Sequence, residues 1–150
     1  MKIRRATLED LEKIRSLNKM HFSYDCRFDS LNMGWPESEH FDRYFKHAIK
    51  SGFAALAEEG GAPVGYMAGL IRDEPWHSKP RVAEIGMIYV LPERRGKGTG
   101  TAMLKEFKKW AKSEGAQRIK VMVYYENRLA TEFYGKNGLS PKLLVLEENI

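Results

Sequence analysis

At 150 residues and 43% hydrophobic content, the chain is sized for one domain with one core, and three Trp, seven Tyr and seven Phe suffice to fill it. Charged residues make up 30% and mean hydropathy is negative, which describes a soluble globular chain rather than a disordered one. Apolar stretches run only a few residues and Met1-Lys2-Ile3-Arg4-Arg5 has no apolar leader, so no membrane partner and a cytoplasmic location are expected. One cysteine, Cys26, excludes a disulfide framework, and His21, His40, His47 and His77 lack metal-ligand spacing, so no metal is expected.

Lys2 to Ala6 reads as a short strand. Thr7-Leu8-Glu9-Asp10 then resembles a helix start, and Leu11, Ile14, Leu17 and Asn18 continue on one helical face. Met20 to Pro36 is irregular and aromatic. Phe41, Tyr44, Phe45, Ala48 and Ile49 recur at three- and four-residue spacing, predicting a second helix from about Glu37 to Lys50. Three strands follow, Phe53 to Glu58, Gly65 to Arg72 and Val82 to Val90, the first two joined by the turn Glu59-Gly60-Gly61-Ala62. Thr99 to Glu114 is an amphipathic helix with Met103, Leu104, Phe107, Trp110 and Ala111 on one face, ended by Gly115. Arg118 to Tyr124 reads as a strand, Leu129 to Lys136 as a helix closed by Asn137-Gly138, and Leu143 to Leu146 as a last strand. The predicted fold is a single mixed α/β domain over residues 1–150 in the order β-α-α-β-β-β-α-β-α-β. Its first half is antiparallel, and a parallel crossover links the strand ending at Val90 to the one starting at Arg118.

The positive charge is concentrated. Between residues 94 and 112, Arg94, Arg95, Lys97, Lys105, Lys108, Lys109 and Lys112 face a single acid, Glu106. Such a segment suits a bound polyanion, either a phosphorylated cofactor or a nucleic acid; a solvated helix face accounts for the lysines but less well for the loop arginines. Gly96, Gly98 and Gly100 stand where the strand ending at Val90 turns into a helix, so backbone amides can approach a phosphate at the positive end of the helix dipole. A nucleoside-triphosphate loop is excluded because Gly98 follows Lys97, and a dinucleotide fingerprint because no doubly wound repeat surrounds the glycines.

Val90-x-Pro92-x-x-Arg95-Gly96-x-Gly98-x-Gly100-x-x-Met103-Leu104 resembles the cofactor motif of the GCN5-related N-acetyltransferase family. Asn127-x-x-Ala130-x-x-Phe133-Tyr134-x-x-x-Gly138-Leu139 is similar to that family's second segment, with Leu139 where Phe is usual, and the element order matches throughout. The resemblance implies an acetyl-coenzyme A-dependent N-acetyltransferase with central strands splayed around the cofactor. Backbone groups of Ile88, Tyr89 and Val90 would then hold the pantetheine arm. Amides of Arg95, Gly96, Lys97, Gly98, Thr99, Gly100 and Thr101 would hold the pyrophosphate, and Asn127 would bond the cofactor near the next helix start. It implies Glu84, six residues before Val90, as the general base, direct or through water, and Tyr134 as the acid that protonates the departing thiolate. In a strand covered on both faces Glu84 would lose solvation; at a strand end it would instead pair with Arg81.

Acceptor pockets in this family draw on the segment between the first two helices, which points to Tyr24, Asp25 and Trp35, with Trp76 from a second aromatic loop. Asp25, Asp29, Glu37, Glu39 and Asp42 outnumber Arg27 and Arg43, so a cationic acceptor is expected: a polyamine, an aminoglycoside or a peptide amine. A covalent acetyl-Cys26 assisted by His21 rests on proximity alone, and direct attack in a ternary complex is preferred. A non-catalytic acetyl-coenzyme A binder stays open, as does a homodimer paired through a strand near the C-terminus. Nucleic acid is not an expected partner, because no recognition module is present.

Overall fold

The computed structural model describes all 150 residues. Strand β1 (Lys2–Arg5) leads through a 3-10 turn into helix α1 (Leu11–Asp25), and helix α2 (Glu39–Ser51) follows. Strands β2 (Phe53–Glu59), β3 (Ala62–Asp73) and β4 (Arg81–Val90) come next, then helix α3 (Thr99–Ser113), strand β5 (Arg118–Val121) and helix α4 (Arg128–Lys136). The five strands form one sheet in chain order, antiparallel from β1 to β4 and parallel between β4 and β5, as the element order predicts.

Two apolar layers sandwich the sheet. On one face Ile14 and Leu17 of α1 and Phe41, Phe45 and Ala48 of α2 pack on Leu56, Tyr66, Ala68 and Tyr89. On the other, Met103, Leu104, Phe107 and Ala111 of α3 and Tyr134 of α4 pack on Phe53, Met67, Ala83 and Ile85. The alternation of side chains along the strands produces this division, since residues of even and odd register face opposite helix layers. The first turn is locked by Arg4, whose guanidinium donates to both oxygens of buried Asp10 at 2.8 Å and to Glu58, while Asp10 Oδ2 accepts from the Thr7 amide. No helix is long and apolar enough to cross a membrane.

Three departures from the sequence reading matter for function. The segment from Met20 is helical as far as Asp25, so α1 carries His21, Tyr24 and Asp25 on a rigid element. β5 stops at Val121, three residues short of Tyr124, because β4 bulges at Gly86: Ala68 pairs with Met87 and Gly69 with Ile85. A bulge bends its strand, and a Cβ on Gly86 would fall 1.9 Å from the Tyr44 hydroxyl, so glycine is needed where α2 presses on the bulge. Finally, Leu143–Leu146 forms no strand. Apolar composition supplies β-propensity, but a strand exists only through a ladder with a neighbour, and here Leu143, Leu144, Val145 and Leu146 stand exposed beyond the sheet.

Candidate functional site

After Val90 the chain passes a 3-10 turn at Pro92–Arg94 and enters α3 through Gly96 and Gly98, whose φ angles of 72° and 84° lie in the left-handed region that favours glycine. None of the successive backbone N–H groups from Gly96 to Thr101 finds an acceptor in the protein; the first bond of the helix start runs from Ala102 to Gly98 O at 2.9 Å. The N-cap is Gly98, so no side chain covers these donors, and the helix dipole points its positive end the same way. The loop is therefore an anion cradle built from backbone.

Its side chains divide differently from the sequence expectation. Arg94 is paired with Glu59 at 2.5 Å. Arg95 donates from Nε to Val90 O at 2.9 Å and spreads over the rings of Tyr24 and Tyr89. Lys97 alone of the three is exposed and unpaired. Gly100 is glycine for a packing reason, since a Cβ there would meet Phe133 at 3.1 Å.

Beside the cradle the sheet opens. The last β4–β5 pair is Ile85 with Val121, so Ile88, Tyr89 and Val90 are laddered only to Met67, Tyr66 and Gly65 of β3 and present a free edge toward the divergent chain after β5. An extended ligand can add to such an edge through backbone hydrogen bonds. Asn127 caps α4 with Oδ1 accepting from the Ala130 amide at 3.2 Å, which leaves Nδ2 for a ligand. Tyr134 is buried, and its phenol is held above the ordinary range first by burial and then by the charge of Asp25.

Glu84 is not in the covered position expected of it, nor paired with Arg81. Its side chain keeps 24% exposure, and Oε1 accepts from Arg72 Nε at 2.8 Å. Across from it Tyr44 is pushed up to about 12 by burial and by the Glu84 charge.

Tyr24 and Asp25 lie together at the end of α1, near Phe28, which stacks on Tyr124 at 5.9 Å. Trp35 is half-buried and packs between Phe22 and Phe41 at 5.4 and 5.7 Å. Trp76 is 78% exposed on the β3–β4 hairpin loop, at the far end of β4 from Val90 and so about 30 Å along the strand. Among the acids, Glu37 is neutralised by Lys19 and Asp42 by Arg15. The negative charge that remains near the open edge is that of Asp25 and Asp29, both of which raise the Tyr124 phenol after burial does. Cys26 Sγ donates to Ser23 O, while His21 is engaged by Tyr66 and Asp25, so the two do not form a pair. Sequence reasoning missed Asn18 and Tyr66 as site residues. The signal for Asn18 was a polar side chain inside the apolar stripe of α1; nothing in the sequence singles out Tyr66.

The fold defines an α/β domain whose sheet parts next to a helix-start anion cradle. Residues 14–139 match the family profile described as acetyltransferase (GNAT) family, and the chain belongs to that family. It is 39% identical over 108 residues to an uncharacterized N-acetyltransferase of Methanocaldococcus jannaschii, a match covering 68% of this chain and 46% of that protein. It is 29% identical over 153 residues to an uncharacterized N-acetyltransferase of Archaeoglobus fulgidus, covering 93% and 92%. The chain thus spans about half the length of the first of these relatives and nearly all of the second. A predicted acetyltransferase from Clostridium acetobutylicum solved with acetyl-CoA superposes with a TM-score of 0.81 at 23% identity, covering 99% and 95%. The aminoglycoside acetyltransferase AAC(6')-Iy with a bisubstrate analog does so with a TM-score of 0.80 at 16% identity, covering 99% and 97%. These two likenesses show the fold.

Proposed function

We propose that this chain transfers an acetyl group from acetyl-coenzyme A to a primary amine by direct attack in a ternary complex. The observation that carries this is the run of unsatisfied amides from Gly96 to Thr101 lying next to the unpaired edge of β4, a cradle for a diphosphate joined to a slot for an extended arm. Acetyl-coenzyme A supplies the acetyl thioester. Amides of Gly96 to Thr101 hold the pyrophosphate with Lys97 nearby, backbone groups of Ile88 to Val90 hold the arm, and Asn127 Nδ2 adds a donor. Tyr134, kept neutral by burial, gives its proton to the sulfur as it departs. The resemblance puts a base at Glu84, whose carboxylate is tied to Arg72. Asp25 and Asp29 beside the Phe28–Tyr124 stack favour a cationic small molecule of the polyamine or aminoglycoside type, with a peptide amine as the second class.

Free-thiol release from acetyl-coenzyme A against a panel of amines is the test, with Tyr134→Phe and Glu84→Gln as variants. Turnover that falls at least tenfold in Tyr134→Phe with cofactor affinity kept supports the reading; tight cofactor binding without turnover on any amine would make the chain a binder instead. We further propose a homodimer. The free edge of β5 and the exposed apolar run Leu143–Leu146 do not meet within one chain, and two copies satisfy both by each laying its run along the partner's edge.

A further inference from the structure

We infer that Asp25 is the carboxylate that meets the acceptor amine and takes its proton, and that Asn18, Tyr66 and His21 form a hydrogen-bonded chain that sets the His21 imidazole beside it. This rests on the acetyl-transfer reading of the site.

Asn18, His21 and Asp25 are spaced three and four residues apart along α1, so they share one face of the helix. Asn18 is wholly buried, and its Nδ2 donates to the Tyr66 hydroxyl at 2.7 Å. That hydroxyl lies 2.7 Å from His21 Nδ1, with Met87 Sδ a longer alternative at 3.6 Å. Burial keeps the Tyr66 phenol far above its ordinary range, so it stays protonated and donates. With Asn18 occupying the oxygen as donor and the phenol O–H directed to Nδ1, the imidazole carries its proton on Nε2. Nε2 in turn lies 3.2 Å from Asp25 Oδ2, and the ring is clamped by stacking on Tyr89 at 5.2 Å. Oδ1 of Asp25 has no protein partner. Keeping an amide at Asn18 leaves its own Oδ1 buried without a donor, a cost that an apolar core residue would avoid.

The chain ends at the right place. His21 and Tyr66 belong to the α1–α2 side of the sheet, whereas Tyr134 belongs to the α3–α4 side. His21 stacks on Tyr89 of the unpaired β4 edge, and Phe28, just past Asp25, stacks on Tyr124 beyond the end of β5, so Asp25 stands where β4 and β5 part. Tyr134 lies on the other layer, where burial first and then the charge of Asp25 raise its phenol. Glu84, by contrast, is in register with Lys120 where the two strands are still paired, and it is held by Arg72. The groups around Asp25 are His21 and Tyr24 of α1, Tyr66 of β3, Tyr89 of β4, Arg95 stacked on Tyr24 and Tyr89, Asp29, Tyr124, Tyr134 and, through Tyr124, Glu147.

The proton balance closes. Asp25 takes one proton from the acceptor ammonium, freeing the lone pair. As the C–N bond forms and the C–S bond breaks, Tyr134 protonates the sulfur and recovers the second nitrogen proton, and Asp25 releases its own to solvent.

Steady-state kinetics with acetyl-coenzyme A and spermidine, an aminoglycoside and a lysine peptide test the assignment, with coenzyme A affinity and thermal melting measured on every variant. Asp25→Asn is expected to lower kcat roughly 100- to 10,000-fold, with cofactor affinity unchanged and residual turnover rising as pH deprotonates the free amine. Asp25→Glu, which keeps a carboxylate, recovers part of that loss. Tyr66→Phe and His21→Leu act through Asp25: each lowers kcat with KM and cofactor affinity kept, while His21→Gln keeps a neutral polar group and most of the rate. If Asp25→Asn raises only KM, Asp25 is an ammonium anchor and the proposal is overturned. It is equally overturned if Asp25→Asn stays within twofold of the unaltered chain while Glu84→Gln abolishes turnover. Absence of thiol release by the unaltered chain with every amine, despite cofactor binding, overturns acetyl transfer itself and this assignment with it.

Discussion

Alanine at Gly100 places a Cβ 3.1 and 3.2 Å from Phe133 Cε2 and Cζ, closer than the ring tolerates without moving, whereas Gly98, two residues earlier, has nothing within 4 Å of its Cβ but a φ of 84°. The same substitution therefore fails for two unrelated reasons. At Gly100 the cost is overpacking, about 1–2 kcal/mol for a contact a few tenths of an ångström too short. That corresponds to roughly 2–8 °C in Tm for a chain of this length. Phe133→Leu alone costs about 1 kcal/mol, and in the double variant the smaller side chain leaves room for the methyl. The pair is thus less destabilising than the sum of the singles, with a coupling of about 0.5–1 kcal/mol. At Gly98 the left-handed backbone costs an L-residue about 1–2 kcal/mol. The loop relieves that strain by turning its amides away, weakening coenzyme A about 5- to 30-fold, with no coupling to Phe133. Thermal melts of the four Gly100 and Phe133 combinations, and coenzyme A titration of Gly98→Ala alone and with Phe133→Leu, read both effects. Additivity within about 0.3 kcal/mol at Gly100 and Phe133 would refute the packing explanation. Gly98→Ala with unchanged affinity would refute the amide cradle.

Arg4 holds the Asp10 carboxyl well below the usual carboxylate range. A folded value under the unfolded one means the stabilisation is complete above roughly pH 5 and is lost as pH falls through the acid range. The Tm gap between the unaltered chain and Asp10→Asn is therefore expected to narrow between pH 6 and pH 3, and a gap that stays constant would contradict the linkage. Removing residues 141–150 is expected to convert a dimer to a monomer in light scattering; an unaltered chain that is already monomeric at micromolar concentration defeats the strand-exchange reading. Gly86→Ala, with its Cβ 1.9 Å from the Tyr44 hydroxyl, is expected to lose more stability than Gly100→Ala, and Tyr44→Phe to restore part of it.

Local physics in the sequence determined most of the scaffold. Apolar residues at helical spacing placed α2 and α3, alternating and Gly-punctuated runs placed β2 to β4, and the glycines after Val90 marked the anion cradle, because backbone freedom at φ above zero is a property of the residue itself. Asn127 and Tyr134 were legible only through their places in the segment that resembles the family's; the structure added that the first caps α4 and the second is buried. The tertiary structure alone decided what depends on partners distant in sequence. It paired Arg94 with Glu59, packed half-buried Trp35 against the core, put Trp76 at the far end of β4, and tied Glu84 to Arg72. It also joined Asn18 to Tyr66, 48 positions away, and left Leu143–Leu146 without a ladder. Hydrogen bonds and ion pairs such as these carry no period that a one-dimensional pattern can show; they exist only once the sheet has brought its layers together.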